Sequence, residues 1–315
     1  MWSSIKKIIE KIKVFFIRFF HGSKLSLLSL KAYYHYKKLW LLPLIGSLLF
    51  MLVFMGIGWI GWMLHNYFRS YIDQSATHKF FIFAPLVLLL LFCVSCIHVF
   101  FNVVAAFMIA QYCDQDHASL MSAIANTCKR KKVIFLWSCM ETVVRATSGR
   151  RKDESSIVSA SVDIWSFILG TSWRYLSFFI YPIFAFEDKK LFESLKKSVE
   201  LTKKYFGSMS GSLFTFSMVY ILVPFIVMGY FMVLSLLVKN LFWLLNSSAA
   251  FNSGNPKYLI FLVFLPNLAA IFWFVVEFIS LAKTITSTIL YRYVNDLPTG
   301  IFNRETLDAA VRERE

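Results

Sequence analysis

Seven residues of this chain are candidates for chemistry because their type is out of place where they sit. His98, Asn102, Glu141, Asp163, Arg174, Glu277 and Lys283 fall in or beside runs that are otherwise apolar. Polar and ionisable groups in such surroundings are costly, which makes each a candidate functional position. Asp163 and Arg174 are three helical turns apart, so they share a face without touching. Arg174 has two possible partners, Glu141 across a hairpin or Glu277 from the last span. Two chemistries are open to such a set. One is a polar translocation path or proton relay. The other is a buried ion pair that fixes helix register, with Asn102 as an interhelical hydrogen bond. Transport paths usually break their helices at corresponding places in internal repeats, whereas Pro182, Pro224 and Pro266 are scattered, which favours the structural reading.

Other chemistry finds little material. There is no HExxH, GxSxG, P-loop or Rossmann glycine pattern, and the 12 glycines leave little for phosphate-cradling loops. The expectation is therefore a protein without catalytic residues, cofactor or metal. Cys93 and Cys96 form a CxxC within an apolar span and lack a second ligand pair, so they read as small packing residues. Five cysteines, an odd number, argue against a disulfide framework. The formal charge of +15 is concentrated beside apolar runs, where anionic headgroups explain it better than nucleic acid does.

The elements that hold these residues are written in the apolar runs. Hydrophobic residues make up 58% of the 315 positions and charged ones 16%, against roughly a quarter charged in soluble domains. Runs of about 20 apolar residues cross a bilayer as helices, and their continuity excludes the alternation of a membrane barrel. The pattern predicts an all-α membrane bundle of about six helices. Four stand out, near 39–64, 80–110, 209–237 and 258–280. Two are less defined, over 133–147 and 156–186. The second pair either crosses twice or dips in from one face.

Charge orients the chain. Residues 1–38 carry nine Lys or Arg and 187–208 carry six, whereas 65–79 carries Arg69 and Lys79 and 238–257 carries Lys239 and Lys257. The positive-inside rule places the first two segments, and both termini, in the cytoplasm. Residues 1–23 read as a basic amphipathic helix on the membrane surface. Ile5, Ile8, Ile9, Ile12, Phe15, Phe16 and Phe19 recur at helical spacing among Lys6, Lys7, Lys11, Lys13 and Arg18.

The chain also repeats. At an offset of 165 residues, Ser29-Leu30-Lys31 falls on Ser194-Leu195-Lys196, Lys38 on Lys203, and Gly46-Ser47-Leu48 on Gly211-Ser212-Leu213. Each copy is a basic amphipathic helix followed by two spans, and a fainter copy starts near Ser119-Leu120. The expected units are about 24–110, 116–186 and 190–287, within one membrane domain spanning 24–308 and followed by a tail at 309–315. In 191–206, Leu191, Phe192, Leu195, Val199 and Phe206 share a face opposite Lys196, Lys197, Glu200, Lys203 and Lys204. Candidate headgroup contacts are thus Lys6, Lys7, Lys129, Arg130, Lys131, Lys132, Lys196, Lys197, Lys203 and Lys204.

The segment from Trp173 to Gly207, WRYLSFFIYPIFAFEDKKLFESLKKSVELTKKYFG, carries Tyr181, Pro182, Glu187, Ser194, Leu195, Lys196, Ser198, Glu200 and Lys203 in a familiar order. It resembles the bacterial membrane proteins grouped as domain of unknown function family 6159. There, a span ending in aromatic-x-Pro-x-apolar precedes an acidic residue and a helix of the type ALKRSxELLK. In this chain the aromatic residue directly precedes the proline. Phe100-Phe101-Asn102 with Ala105-Ala106, Lys37-Lys38 before Leu41-Leu42-Pro43-Leu44, and Leu290-Tyr291-Arg292-Tyr293 extend the likeness over about 24–308. The N-terminal amphipathic helix and the charged middle segment depart from it. The resemblance implies a multi-pass fold in a bacterial cytoplasmic membrane and no particular activity.

The functional expectation is a non-enzymatic membrane protein that organises anionic lipid, or a membrane-protein partner or second copy, through its basic interfacial helices. The alternative is a small-solute transporter or channel that uses Arg174, Glu141 and Glu277.

Overall fold

A chain with so much continuous apolar sequence must satisfy its backbone polar groups internally, and helices do this within each segment. A computed structural model describes residues 2–68, 76–115, 117–148, 173, 175–246, 256–300, 302 and 304–311, and no strand occurs among them. Helix α1 (Trp2–His35) leads through a short 3-10 helix (Lys37–Trp40) into α2 (Leu41–Tyr67) and α3 (Ala76–Gln115). Then come α4 (Leu120–Lys129), α5 (Lys131–Ser148), α6 (Ile180–Phe186) and α7 (Leu191–Lys204). The chain closes with α8 (Phe206–Asn246), α9 (Pro256–Val294) and α10 (Arg304–Val311). The protein is an all-α membrane bundle.

Among the described residues, four helical segments are long and apolar enough to cross a membrane: Lys37–Tyr67, Phe83–Gln115, Phe206–Tyr230 and Ala269–Val294. Two of the six expected spans are not among them. Helix α5 carries Glu141 and Arg145 in its 18 residues. The expected span 156–186 lies partly outside the described residues, and its described part is not one helix. A turn at Ser177–Phe179 precedes the 7-residue α6, only about 10 Å long. Pro182 is the third residue of α6, an early position where its missing N–H costs no helical bond. The last helix also runs past its expected end at Ser280 to Val294. Leu281, Ala282, Ile285 and Ile289 are fully packed inside the bundle there.

Helix α3 sits at the centre. One side of it packs Phe101, Val104, Ala105 and Met108 into a core shared with α1, α8 and α9. Its other side packs Val99, Val103 and Ala106 against Ile134 and Trp137 of α5 and Ile180 and Phe184 of α6. Over residues 99–110 this helix is packed on nearly every side, whereas Val87, Leu88 and Leu89 nearer its start are exposed. Helix α9 is joined to α2 by a stacked Phe50–Trp273 pair at 4.6 Å and to α1 by Tyr33–Phe278 at 4.3 Å.

Helix α1 shows no break at residue 23. Its expected apolar face is divided. Phe15 and Phe19 turn towards Phe206 and Phe214 of α8, while Ile9, Ile12, Phe16 and Phe20 stay exposed. Below them the backbones of α1 and α8 come so close that only glycine fits at Gly22 and Gly211. A Cβ on Gly22 would lie 2.7 Å from the Ser208 carbonyl carbon, and one on Gly211 2.7 Å from that of Phe19. Ser23 Oγ donates to the Gly211 carbonyl at 3.1 Å, and Ser212 Oγ to that of Gly22 at 2.9 Å. Small residues with such bonds are what bring membrane helices together.

A helix, a break and a second helix recur. The long helices α2, α5 and α8 begin at Leu41, Lys131 and Phe206. Helices α4 and α7 present the same pattern at an offset of 75 residues. Ala123 and Thr127 are buried like Ser198 and Thr202, while Met121, Ala125 and Lys129 are exposed like Lys196, Glu200 and Lys204.

Candidate functional site

Three helices direct polar side chains at one another where α3, α5 and α9 meet. On α3 these are His98 and Asn102, on α5 Glu141 and Arg145, and on α9 Glu277, Ser280 and Thr284. Spacings of three, four and seven residues put each set on one helical face. Glu277 and Asn102 are fully buried, and His98 and Glu141 nearly so.

His98 is the hub. Its Nδ1 lies 3.0 Å from Glu277 Oε1, and its Nε2 lies 3.3 Å from Ser280 Oγ and 3.9 Å from Glu141 Oε1. Glu141 Oε1 accepts from Arg145 at 2.6 and 3.2 Å. Asn102 donates its amide to the His98 carbonyl at 2.7 Å and accepts from the Ser280 hydroxyl at 3.2 Å and from that of Thr284. Both glutamates keep a second oxygen, Oε2, buried with no hydrogen-bond partner among the described residues. Trp273 and Tyr181 stand edge-on to the imidazole.

Four of the intramembrane residues expected from sequence, His98, Asn102, Glu141 and Glu277, thus converge. Asp163 and Arg174 lie outside the described residues. The observed partner of Glu141 is Arg145, and that of Glu277 is His98. Lys283 sits over the Phe178 ring at 6.0 Å, away from the cluster's hydrogen bonds. Arg145, Ser280 and Thr284 were not anticipated. A signal for them was present, since Glu141/Arg145 and Ser280/Thr284 repeat the four-residue spacing of His98/Asn102. Cys93 and Cys96 are half-buried free thiols, and no group of His, Cys, Asp or Glu suited to a metal occurs among the described residues.

The basic candidates divide into two kinds. Lys6, Lys129, Lys131, Lys132, Lys196, Lys203 and Lys204 are exposed, and the Lys7 side chain lies outside the described residues. Arg130 and Lys197 are instead used internally, by Asp188 and Glu187. Helix α7 also differs from the expected two-faced form. Its face against the protein is Leu191, Ser194, Ser198 and Thr202, with Ser198 and Thr202 donating to the carbonyls of Leu176 and Tyr175. Leu195 and Val199 form a half-buried flank that Phe192, 78% exposed, continues outward, and Phe206 belongs to α8. The charged edge follows. Small residues win the packing face because they let α7 approach closely enough to cap the carbonyls of Tyr175 and Leu176, just before the Ser177–Phe179 turn.

Glu187, just before α7, gathers Lys189 at 2.6 Å together with Lys197 and the Tyr291 hydroxyl. Burial alone would raise its carboxyl, but the bonds from Lys189, Lys197 and Tyr291 outweigh burial and hold it below the usual carboxylate range. This ties the start of α7 to the end of α9.

No family model, no curated protein and no solved structure matches this chain, so its own side chains carry the functional argument.

Proposed function

We propose that this protein is a non-enzymatic component of a bacterial cytoplasmic membrane that gathers anionic lipid headgroups around its basic interfacial helices. The observation that carries this reading is the three-way division of α7: a small-residue face on the protein, an apolar flank through Phe192, and an edge of Lys196, Lys203 and Lys204. A helix lying in the headgroup plane needs these three faces, with lysine stems reaching outward along the lipid. Helix α4 supports it with exposed Met121 and Lys129, followed by Lys131 and Lys132. An even number of candidate spans among the described residues, four, agrees with both termini lying on one side, and the excess of Lys and Arg in 1–38 and 187–208 supports that side being the cytoplasm.

Each lysine near an anionic surface contributes about 1 kcal/mol, so three together are worth up to about a hundredfold in headgroup preference. Full-length protein in mixed phosphatidylglycerol–phosphatidylcholine vesicles, with its bound lipid read by native mass spectrometry, is the test. Enrichment of phosphatidylglycerol that collapses in the K196Q/K203Q/K204Q variant supports the reading, and equal enrichment removes it. A second reading, passage of a small solute, is favoured by the buried cluster around His98. Flux into proteoliposomes that is indifferent to both Glu141→Gln and Glu277→Gln excludes that path.

A further inference from the structure

The break between α4 and α5 comes to lie beside the start of α7. Arg130, the C-cap of α4, pairs with Asp188 just before Lys190, the N-cap of α7. Next to that bridge, Ile134 in the first turn of α5 shares one apolar cluster with Leu191, the first residue of α7, and with Leu195 one turn on. Two helix starts that are distant in sequence are thus held side by side. Each carries lysines next to exposed apolar residues. On α5, Lys131 and Lys132 stand one turn before Phe135 and Leu136, and all four are exposed. The four-residue spacing sets each lysine and its apolar partner on one face, about 6 Å apart along the axis. That face is turned away from Ile134 and Trp137, which are buried in protein. On α7, exposed Phe192 extends the flank that Leu195 presents to α5, and exposed Lys196 follows one turn on. Lys190 is exposed as well. Cations bordering an apolar strip are what the boundary between headgroups and acyl chains requires.

The acidic groups around this junction are already engaged. Glu187 holds Lys189 and Lys197, and Asp188 holds Arg130. Glu193 falls on the side of α7 opposite Leu195 by helical spacing. Lys131, Lys132, Lys190 and Lys196 have no acidic partner among the described residues. Free positive charge therefore comes in two sets, one on each helix, on either side of a closed ion pair. A lipid with one phosphate serves one set. A lipid whose two phosphates are joined by a short polar linker serves both, because binding the first phosphate holds the second at high local concentration.

We infer that the α4–α5 break and the start of α7 form one binding site for a two-phosphate membrane lipid of the cardiolipin type. Lys131 and Lys132 take one phosphate, Lys190 and Lys196 take the other, and the acyl chains lie against Phe135, Leu136 and Phe192. The inference rests on the lipid reading above and names both the lipid and its place. The bound lipid clasps α5 to α7 where Arg130 and Asp188 already join them.

The test places full-length protein in phosphatidylcholine vesicles that hold cardiolipin and phosphatidylglycerol at equal phosphate content, and reads bound lipid by native mass spectrometry. Two further lysines engaged by the second phosphate are worth about thirtyfold, so wild type should retain cardiolipin over phosphatidylglycerol by about that factor. K131Q/K132Q should bring the ratio to about one while phosphatidylglycerol stays enriched, and K190Q/K196Q should lower the ratio equally. The charge-matched control K6Q/K13Q, at two exposed lysines of α1, should leave the ratio unchanged. Phosphatidylglycerol enrichment without a cardiolipin preference overturns this inference and leaves the lipid reading standing. An unchanged ratio in K131Q/K132Q overturns it too, as does an equal fall in K6Q/K13Q, which would make the preference one of bulk charge. Enrichment of neither anionic lipid removes the lipid reading along with it.

Discussion

Replacing Gly22 with alanine tests the packing of α1 directly. The new Cβ would lie 2.7 Å from the carbonyl carbon of Ser208 and 2.9 Å from its Cα. Ordinary carbon contacts are about 3.5–4.0 Å, so the two helices must part by about 1 Å. Backbone cannot swing aside as a side chain can. Overpacking of this kind costs about 1–3 kcal/mol. Parting also stretches the bonds Ser212–Gly22 and Ser23–Gly211, at about 0.6 kcal/mol each between membrane helices. Alanine regains about 1 kcal/mol of helix propensity, which leaves a net loss of about 1–3 kcal/mol. The control is Gly56→Ala on α2, where no atom lies within 4 Å of the added Cβ and the change should be neutral or slightly stabilising. Reversible unfolding in mixed micelles, with protease cleavage within α1 as a second readout, gives both numbers. Equal stability of G22A and G56A would refute the reasoning and leave residues 1–23 as a helix free on the membrane surface. Gly211→Ala, which drives a Cβ into Phe19, should behave like G22A.

Two further outcomes follow from the polar contacts. Asn102→Ala removes one donor and one twice-used acceptor from a site with no water-facing alternative, and at about 0.6 kcal/mol per bond should destabilise the bundle by about 2 kcal/mol in micelle unfolding. Glu187 governs an acid limb. Because its folded-state carboxyl ionises below its reference value of 4.5, the stability it contributes is complete above that pH and is lost as pH falls through the lower folded value. Melting temperatures measured between about pH 3 and 6 should fall more steeply in wild type than in Glu187→Gln, and parallel curves would show that the Lys189, Lys197 and Tyr291 contacts do not favour the charged form.

The residues that matter most at the buried site were visible individually, because a histidine or glutamate inside an apolar run stands out whatever the fold. Their pairing was not visible. Sequence order offered Arg174 to Glu141 or Glu277, as charge alone suggests. In the structure Arg145 satisfies Glu141 from the next turn of its own helix, and His98 meets Glu277 from 179 positions away. Ser280 and Thr284 are ordinary residues to any composition-based reading. Only the facing of α3 and α9 turns them into the donors that orient Asn102.

By itself the sequence determined the helical class and the approximate positions of the four strongest spans. Each of these follows from local hydrophobic run length and from breaks beside basic clusters, which the chain carries at every point. Tertiary structure alone decided that α1 binds α8 through Gly22 and Gly211, that α7 packs by Leu191 together with Ser194, Ser198 and Thr202, and that α9 continues past Ser280. In all three the deciding quantity is how closely two backbones approach. Small side chains gain their value from that approach, and distance between segments is the one property a linear pattern of residue types does not contain.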